Sequence, residues 1–125
     1  MNTDLYVLGD ADQIRDGIDK RLLQGKLEEL TAFSSALTKA IASLLQSFEE
    51  EMGATVIMAG GDDVLLRVSY ERYSLDTNLS LAEEFHRSTG CTISFGVAEK
   101  LSDAYINLRK AKAEKSCVCF GGVHI

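Results

Sequence analysis

The spacing of apolar positions along this chain alternates between short continuous runs and steps of three or four, and each switch marks an element. Leu5-Tyr6-Val7-Leu8 is an apolar run that stops at Gly9-Asp10, the pattern of a buried strand. Ile14, Ile18 and Leu22 then recur four apart, which predicts a helix broken at Gln24-Gly25. A longer helix follows on Leu27, Leu30, Phe33, Leu37, Ile41, Leu44, Phe48 and Met52, with Gly53 as its stop. Residues 55–59 and 64–68 read as two strands whose connecting residues form a hairpin turn, with the flanking Val56-Ile57-Met58 and Val64-Leu65-Leu66 buried. A third helix is expected over 79–87, closed by Gly90, and a fourth strand over 92–97. A last helix is expected from Ser102, as N-cap, to Lys115, burying Leu101, Tyr105, Leu108 and Ala111. Residues 117–120 read as a final edge strand.

The order β-αα-ββ-α-β-α-β belongs to an α/β (α+β) protein whose first six elements make a split βαβ arrangement, the ferredoxin-like plan. The expected sheet is mixed and largely antiparallel, with helices packed on it. The first two strands should be parallel through a right-handed crossover, with the third strand antiparallel between them. That topology carries Asp10, at the end of the first strand, to the same edge as the turn after the second. Asp10, Asp62 and Asp63 are therefore expected to converge, although they lie far apart in sequence.

Composition narrows the function classes. A chain of 125 residues can fill one core, so residues 1–125 are expected to form a single domain. The net charge of −6 argues against gripping long nucleic acid through its phosphates. No apolar stretch nears the roughly 20 residues of a membrane helix. Met1-Asn2-Thr3-Asp4 lacks the basic start of a signal peptide. Cys91, Cys117 and Cys119 suit reduced thiols better than a disulfide framework. A cytoplasmic protein is expected.

The chemistry concentrates in three places. Gly60-Gly61-Asp62-Asp63 joins two glycines, which let a ligand approach the backbone, to two acids. Taken alone, an ordinary surface turn explains it equally well. Gly9-Asp10-Ala11-Asp12 ends the first strand, and Asp12 suits a helix cap. The amides of Gln13 and Ile14 at a helix N-terminus suit a phosphate. Carboxylates beside a phosphate need an intervening cation, and hard oxygen ligands favour Mg²⁺ or Mn²⁺. Arg109, Lys112 and Lys115 recur every three residues as a cationic stripe, which for Arg109 reads as a solvated face. His86, among Glu83, Glu84 and Arg87, reads as a surface histidine rather than a base.

Four segments resemble the palm-domain nucleotide cyclases: the GGDEF diguanylate cyclases, the palm of the type III CRISPR polymerase subunit and, above all, the minimal CRISPR polymerases (mCpol). They are Asp10-Ala11-Asp12-Gln13-Ile14, the hairpin from Val56 to Leu65, Thr92-Ile93-Ser94-Phe95-Gly96-Val97-Ala98, and Ala111-Lys112-Ala113-Glu114-Lys115. The resemblance implies a nucleotidyltransferase that joins nucleoside triphosphates into a cyclic di- or oligonucleotide with release of pyrophosphate. It implies catalytic Asp10, Asp62 and Asp63, and two divalent metals held by Asp10, the Ala11 carbonyl, Asp62 and Asp63. Gln13, Ile14, Gly60, Gly61, Lys112 and Lys115 would hold the nucleotide. Among minimal CRISPR polymerases the cyclic product looks like an antiviral signal read by a separate effector protein. The turn ends in Asp63-Val64 rather than Glu-Phe, which departs from the guanine-specific cyclases and favours ATP.

The expected reaction is in-line attack of a ribose hydroxyl on an α-phosphate, with two metals about 4 Å apart activating the hydroxyl and neutralising the leaving group. One domain of this size would hold one triphosphate. Joining two then calls for a homodimer with the active site at its interface. The rival readings are a ring-opening hydrolase like the third class of GTP cyclohydrolase, and a palm that binds nucleotide without turnover.

Overall fold

The computed structural model describes residues 3–121 and 123–125; Met1 and Asn2, read above for a leader, lie outside them. The elements run β1 (Asp4–Ala11), α1 (Ile14–Leu23), α2 (Leu27–Met52), β2 (Thr55–Ala59), β3 (Asp63–Ser69), α3 (Leu75–Thr89), β4 (Ile93–Ala98), α4 (Leu101–Ala113), β5 (Val118–Phe120) and β6 (Val123–His124). One sheet takes the order β2-β3-β1-β4-β5-β6. β3 runs antiparallel to both β1 and β2, so those two are parallel and β3 lies between them, as the split βαβ plan requires. Among the described residues no helix is long and apolar enough to cross a membrane.

The pleat sorts β1 into two faces. Leu5, Val7 and Ala11 point into the core shared with α1, α2 and α3. Phe95 of β4 joins them, its ring 6.0 Å from that of Phe48 on α2. Phe48 is fully buried, which contributes roughly 1.5–3 kcal/mol. Leu8 and Asp10 point to the opposite face, where their partners on β4 are Gly96 and Ser94. α4 packs there. A Cβ on Gly96 would strike the Ala104 carbonyl and the Leu108 backbone, so the glycine is what lets α4 approach.

That close approach also sets the rotation of α4. Ala104, Asn107, Leu108 and Ala111 face inward, and Asn107 Nδ2 donates to the Val97 carbonyl at 2.9 Å. Leu101 and Tyr105, expected to be buried, are 50% and 54% exposed. The small Ala104 fits over Gly96 where Tyr105 would not. The N-cap of α4 is Lys100, with no side-chain cap, rather than Ser102.

Other departures have local causes. α3 begins at Leu75, earlier than the apolar pattern indicates, because Ser74 caps it by accepting from the Thr77 amide at 3.2 Å. Its first turn carries Asp76, Thr77 and the buried Asn78, which hide the helical period. Leu22 of α1 and Leu27, the first residue of α2, are exposed, and of α1 only Ile14 is buried. Ile57 and Met58 are also exposed: β2 is an edge strand, irregular between Val56 and Met58. β5 is not an edge, because β6 pairs with it on the far side.

Candidate active site

Antiparallel pairing of β1 and β3 sets Asp10 directly opposite Asp63. Asp63 is the first residue of β3 rather than part of the turn, so the pleat fixes which face it takes. The Ala11 amide donates to the Asp62 carbonyl at 2.8 Å, tying the turn to the end of β1. The Gly60 amide donates to the Asp63 carbonyl at 2.8 Å and closes the hairpin. A Cβ on Gly60 would collide with the Asp63 carboxylate, so this glycine leaves room for the acid.

Lys112 reaches this edge from α4. Its ammonium lies 3.1 Å from Asp10 Oδ2 and 2.5 Å from Asp12 Oδ1. Asp12 is also gripped from β4 and the residue before it: Thr92 Oγ1 and Ser94 Oγ donate to its Oδ2 at 2.8 and 3.0 Å. The helix-cap role expected for Asp12 is therefore not the one it takes. The N-cap of α1 is Gln13, in left-handed backbone with φ 64° and no side-chain cap bond.

Burial pushes the Asp10 carboxyl above its ordinary value; Lys112 opposes the shift and the nearby Asp62 and Asp63 add to it. Burial pulls the Lys112 ammonium down, but hydrogen bonds to Asp12 and Asp10 outweigh it and leave the ammonium above its ordinary value. Lys112 thus pairs with two carboxylates, while Asp62 and Asp63 add their charge beside Asp10.

Beside this edge opens a cavity of about 720 Å³. Its wall carries Gln13, Lys112 and Lys115, three of the residues expected to hold nucleotide, together with Asp12. It does not include Asp10, Asp62 or Asp63. Ile14, also expected to hold nucleotide, is buried in the core and does not line the cavity. Gly60 and Gly61 are exposed on the hairpin. Lys115 lies past the end of α4 with φ 54°, so it leaves the helical stripe yet still borders the cavity. Arg109 is exposed and does not line the cavity.

His86, read above as a surface histidine, and Cys117, read as a reduced thiol, both line this cavity, as do Glu83 and Ser116. Their clue was position: His86 and Glu83 lie one turn apart on α3, and Cys117 begins the segment leading into β5. The cysteines carry no disulfide. Burial raises the Cys117 thiol to about 11, with Asp12 adding to the shift.

Among the described residues no three His, Cys, Asp or Glu side chains are grouped to hold a metal ion. Lys112 holds Asp10 and Asp12 instead. The donor set of carboxylates and backbone carbonyls is nevertheless that of hard cations. Asp62 and Asp63 crowd negative charge beside Asp10, and Lys112 is paired to Asp10 and Asp12, so the residues fit a divalent cation once Lys112 releases Asp10.

Similar folds occur among solved structures. The Csm1–Csm4 cassette in complex with cA4 matches with TM-score 0.66 and 17% identity, over 90% of this chain and 20% of that chain. The same cassette in complex with one ATP gives 0.66 and 17%, over 90% and 19%. The active GGEEF domain of a diguanylate cyclase from Vibrio cholerae gives 0.50 and 15%, over 94% and 83%. This chain spans about a fifth of the length of the Csm1–Csm4 chains it matches. At such identities the likeness establishes a cyclase-type palm fold. No curated protein matches the chain significantly. The profile of the minimal CRISPR polymerase domain matches residues 6–120, from β1 to the end of β5, and so takes in the paired acids, Asp12 and Lys112 alike. This supports a polymerase-like, nucleotidyl-transferring role, and the chain belongs to the minimal CRISPR polymerase (mCpol) domain family.

Proposed function

We propose that this chain is a metal-dependent nucleotidyltransferase that joins nucleoside triphosphates, ATP favoured, into a cyclic di- or oligonucleotide. A ribose hydroxyl gives up its proton to solvent and its oxygen bonds to the α-phosphorus of a second nucleotide, while the α–β phosphoanhydride breaks and pyrophosphate leaves with that bond's electron pair. The observation that carries the reading is the pairing of Asp10 with Asp63, linked through Lys112 to a cavity that Lys112 and Lys115 border. Two like charges set opposite each other in a sheet are destabilising. Residues that break a local rule in this way tend to mark function.

Asp10, the Ala11 carbonyl, Asp62 and Asp63 would hold two divalent cations, Mg²⁺ or Mn²⁺, which supply charge neutralisation and a more acidic hydroxyl. Lys112 and Lys115 would grip phosphate oxygens as point charges. Gln13 and Ile14 would offer backbone amides at the start of α1. Gly60 and Gly61 would leave room for the nucleotide over the hairpin.

Adenine is favoured because matching cassettes were solved with ATP, pppApA and cA4. Two nucleotides must face each other for the bond to form, and a second copy of this chain is the proposed source of the second. The cyclic product would serve as an antiviral signal for a separate effector, with both proteins in the cytoplasm.

The test is incubation with each triphosphate, singly and mixed, with Mg²⁺ or Mn²⁺, followed by mass spectrometry. A cyclic nucleotide plus pyrophosphate is expected. No cyclic product from any mixture overturns the reading, and an opened purine ring would assign a hydrolase instead.

A further inference from the structure

Asp10 and Asp12 differ in how tightly they are held. Both oxygens of Asp12 are engaged: Oδ2 accepts from Thr92 and Ser94, and Oδ1 accepts from Lys112 at 2.5 Å. Its backbone is fixed as well, the Asp12 amide donating to the Thr92 carbonyl at 2.8 Å. Among the described residues Lys112 is the one side-chain partner of the Asp10 carboxylate, and at 3.1 Å it is the longer contact. Asp12 and Lys112 both line the cavity, and Asp10 does not. An ammonium shared by two carboxylates leaves the weaker, less constrained partner first.

From this asymmetry we propose that Asp12 is a positioning residue: it tethers Lys112 between the acidic edge and the cavity, so that Lys112 can release Asp10 and turn to a phosphate without leaving the site. In this assignment Asp12 ligates no metal. Its oxygens are already occupied, and they face β4 and α4 rather than the hairpin acids. Thr92 and Ser94 serve by holding the carboxylate in place. The proposal rests on the nucleotidyltransferase reading, since it needs a triphosphate for Lys112 to meet.

An Asp12→Asn side chain can still accept from Thr92 and Ser94, but it presents an amide donor, not a charge, to Lys112. The experiment measures equilibrium binding of ATP and of GTP in the presence of Mn²⁺, and of Mn²⁺ alone by electron paramagnetic resonance. The proteins are the wild type, Asp12→Asn, Lys112→Met and the double variant, each checked by circular dichroism. Asp12→Asn should weaken triphosphate binding by about tenfold, the scale of a charge-assisted hydrogen bond. In the Lys112→Met background the same change should have no further effect, because coupled residues are not additive. Mn²⁺ binding without nucleotide should not weaken in Asp12→Asn. If that variant fails to fold, Thr92→Val with Ser94→Ala loosens the same carboxylate and should show the same dependence on Lys112. Additive losses, or a tenfold loss of Mn²⁺ affinity in Asp12→Asn, overturn the tether alone. A wild-type protein that binds neither triphosphate overturns the tether and the nucleotidyltransferase reading together.

Discussion

Asp10 and Asp63 face each other as register partners across the β1–β3 pair, on the side of the sheet that α4 covers. Side chains so placed have Cβ atoms about 4.5–5.5 Å apart. Lys112 reaches Asp10 but makes no ion pair with Asp63. The pair therefore keeps a repulsion that ordinary strand packing would remove, and that repulsion has measurable consequences.

Replacing Asp63 with Asn should raise stability by about 0.2–1 kcal/mol, the scale of a cross-strand charge pair. Urea unfolding checks the sign. The same variant should lose turnover on the order of a thousandfold or more, as happens when a group acting in concert with others is removed. Asp10→Ala should lose activity similarly, and the double substitution Asp62→Ala with Asp63→Ala should leave none. Intact activity in that double variant would remove the metal assignment.

Lys112→Met should separate two effects. Losing a charge-assisted bond to phosphate is worth about 1.5–3 kcal/mol, so triphosphate affinity should fall roughly 10- to 150-fold. Mn²⁺ affinity without nucleotide should rise, because the competing ammonium is gone. Calorimetric titration of each ligand reads both.

Gly96→Ala lies outside the cavity wall but should still damage the site. The added Cβ meets the backbone of α4 at Ala104 and Leu108, which cannot move aside as a flexible side chain would. Overpacking of this kind costs about 1–3 kcal/mol. Shifting α4 also withdraws Lys112 from Asp10 and Asp12. A lower melting temperature together with weaker triphosphate binding is the expected result.

Alkaline pH should destabilise the protein. Burial raises the Cys117 thiol from 9.0 to about 11 and pushes the Tyr73 hydroxyl well above the ordinary phenol. The folded chain then holds protons that the unfolded chain has already lost, so stability falls as pH rises. The Lys112 ammonium, also raised, adds stability that is complete below 10.5 and disappears above it. Melting temperature should be flat from neutral pH to about 9 and fall between about 9 and 11. Cys117→Ala should make the early part of that fall shallower.

Much of the architecture was legible in the chain because it depends on local periodicity. Leu5 to Leu8, the stripe from Phe33 to Met52, and the glycines at 53, 60, 61 and 90 each carry their meaning within a few residues. The split βαβ order then brings the end of β1 and the hairpin to one edge, because handedness and pairing leave few alternatives. The rotation of α4 was not legible. Leu101 and Tyr105 fit an apolar stripe, but Gly96 on another element makes Ala104 the residue that faces the sheet. The partners of Asp12 were hidden for the same reason. Thr92, Ser94 and Lys112 lie 80, 82 and 100 residues from it and carry no local mark of the contact. A cap, a turn or a periodic face is set by neighbours in sequence. A carboxylate that could cap a helix or hold a lysine chooses according to which donors the packed sheet and helix bring within reach.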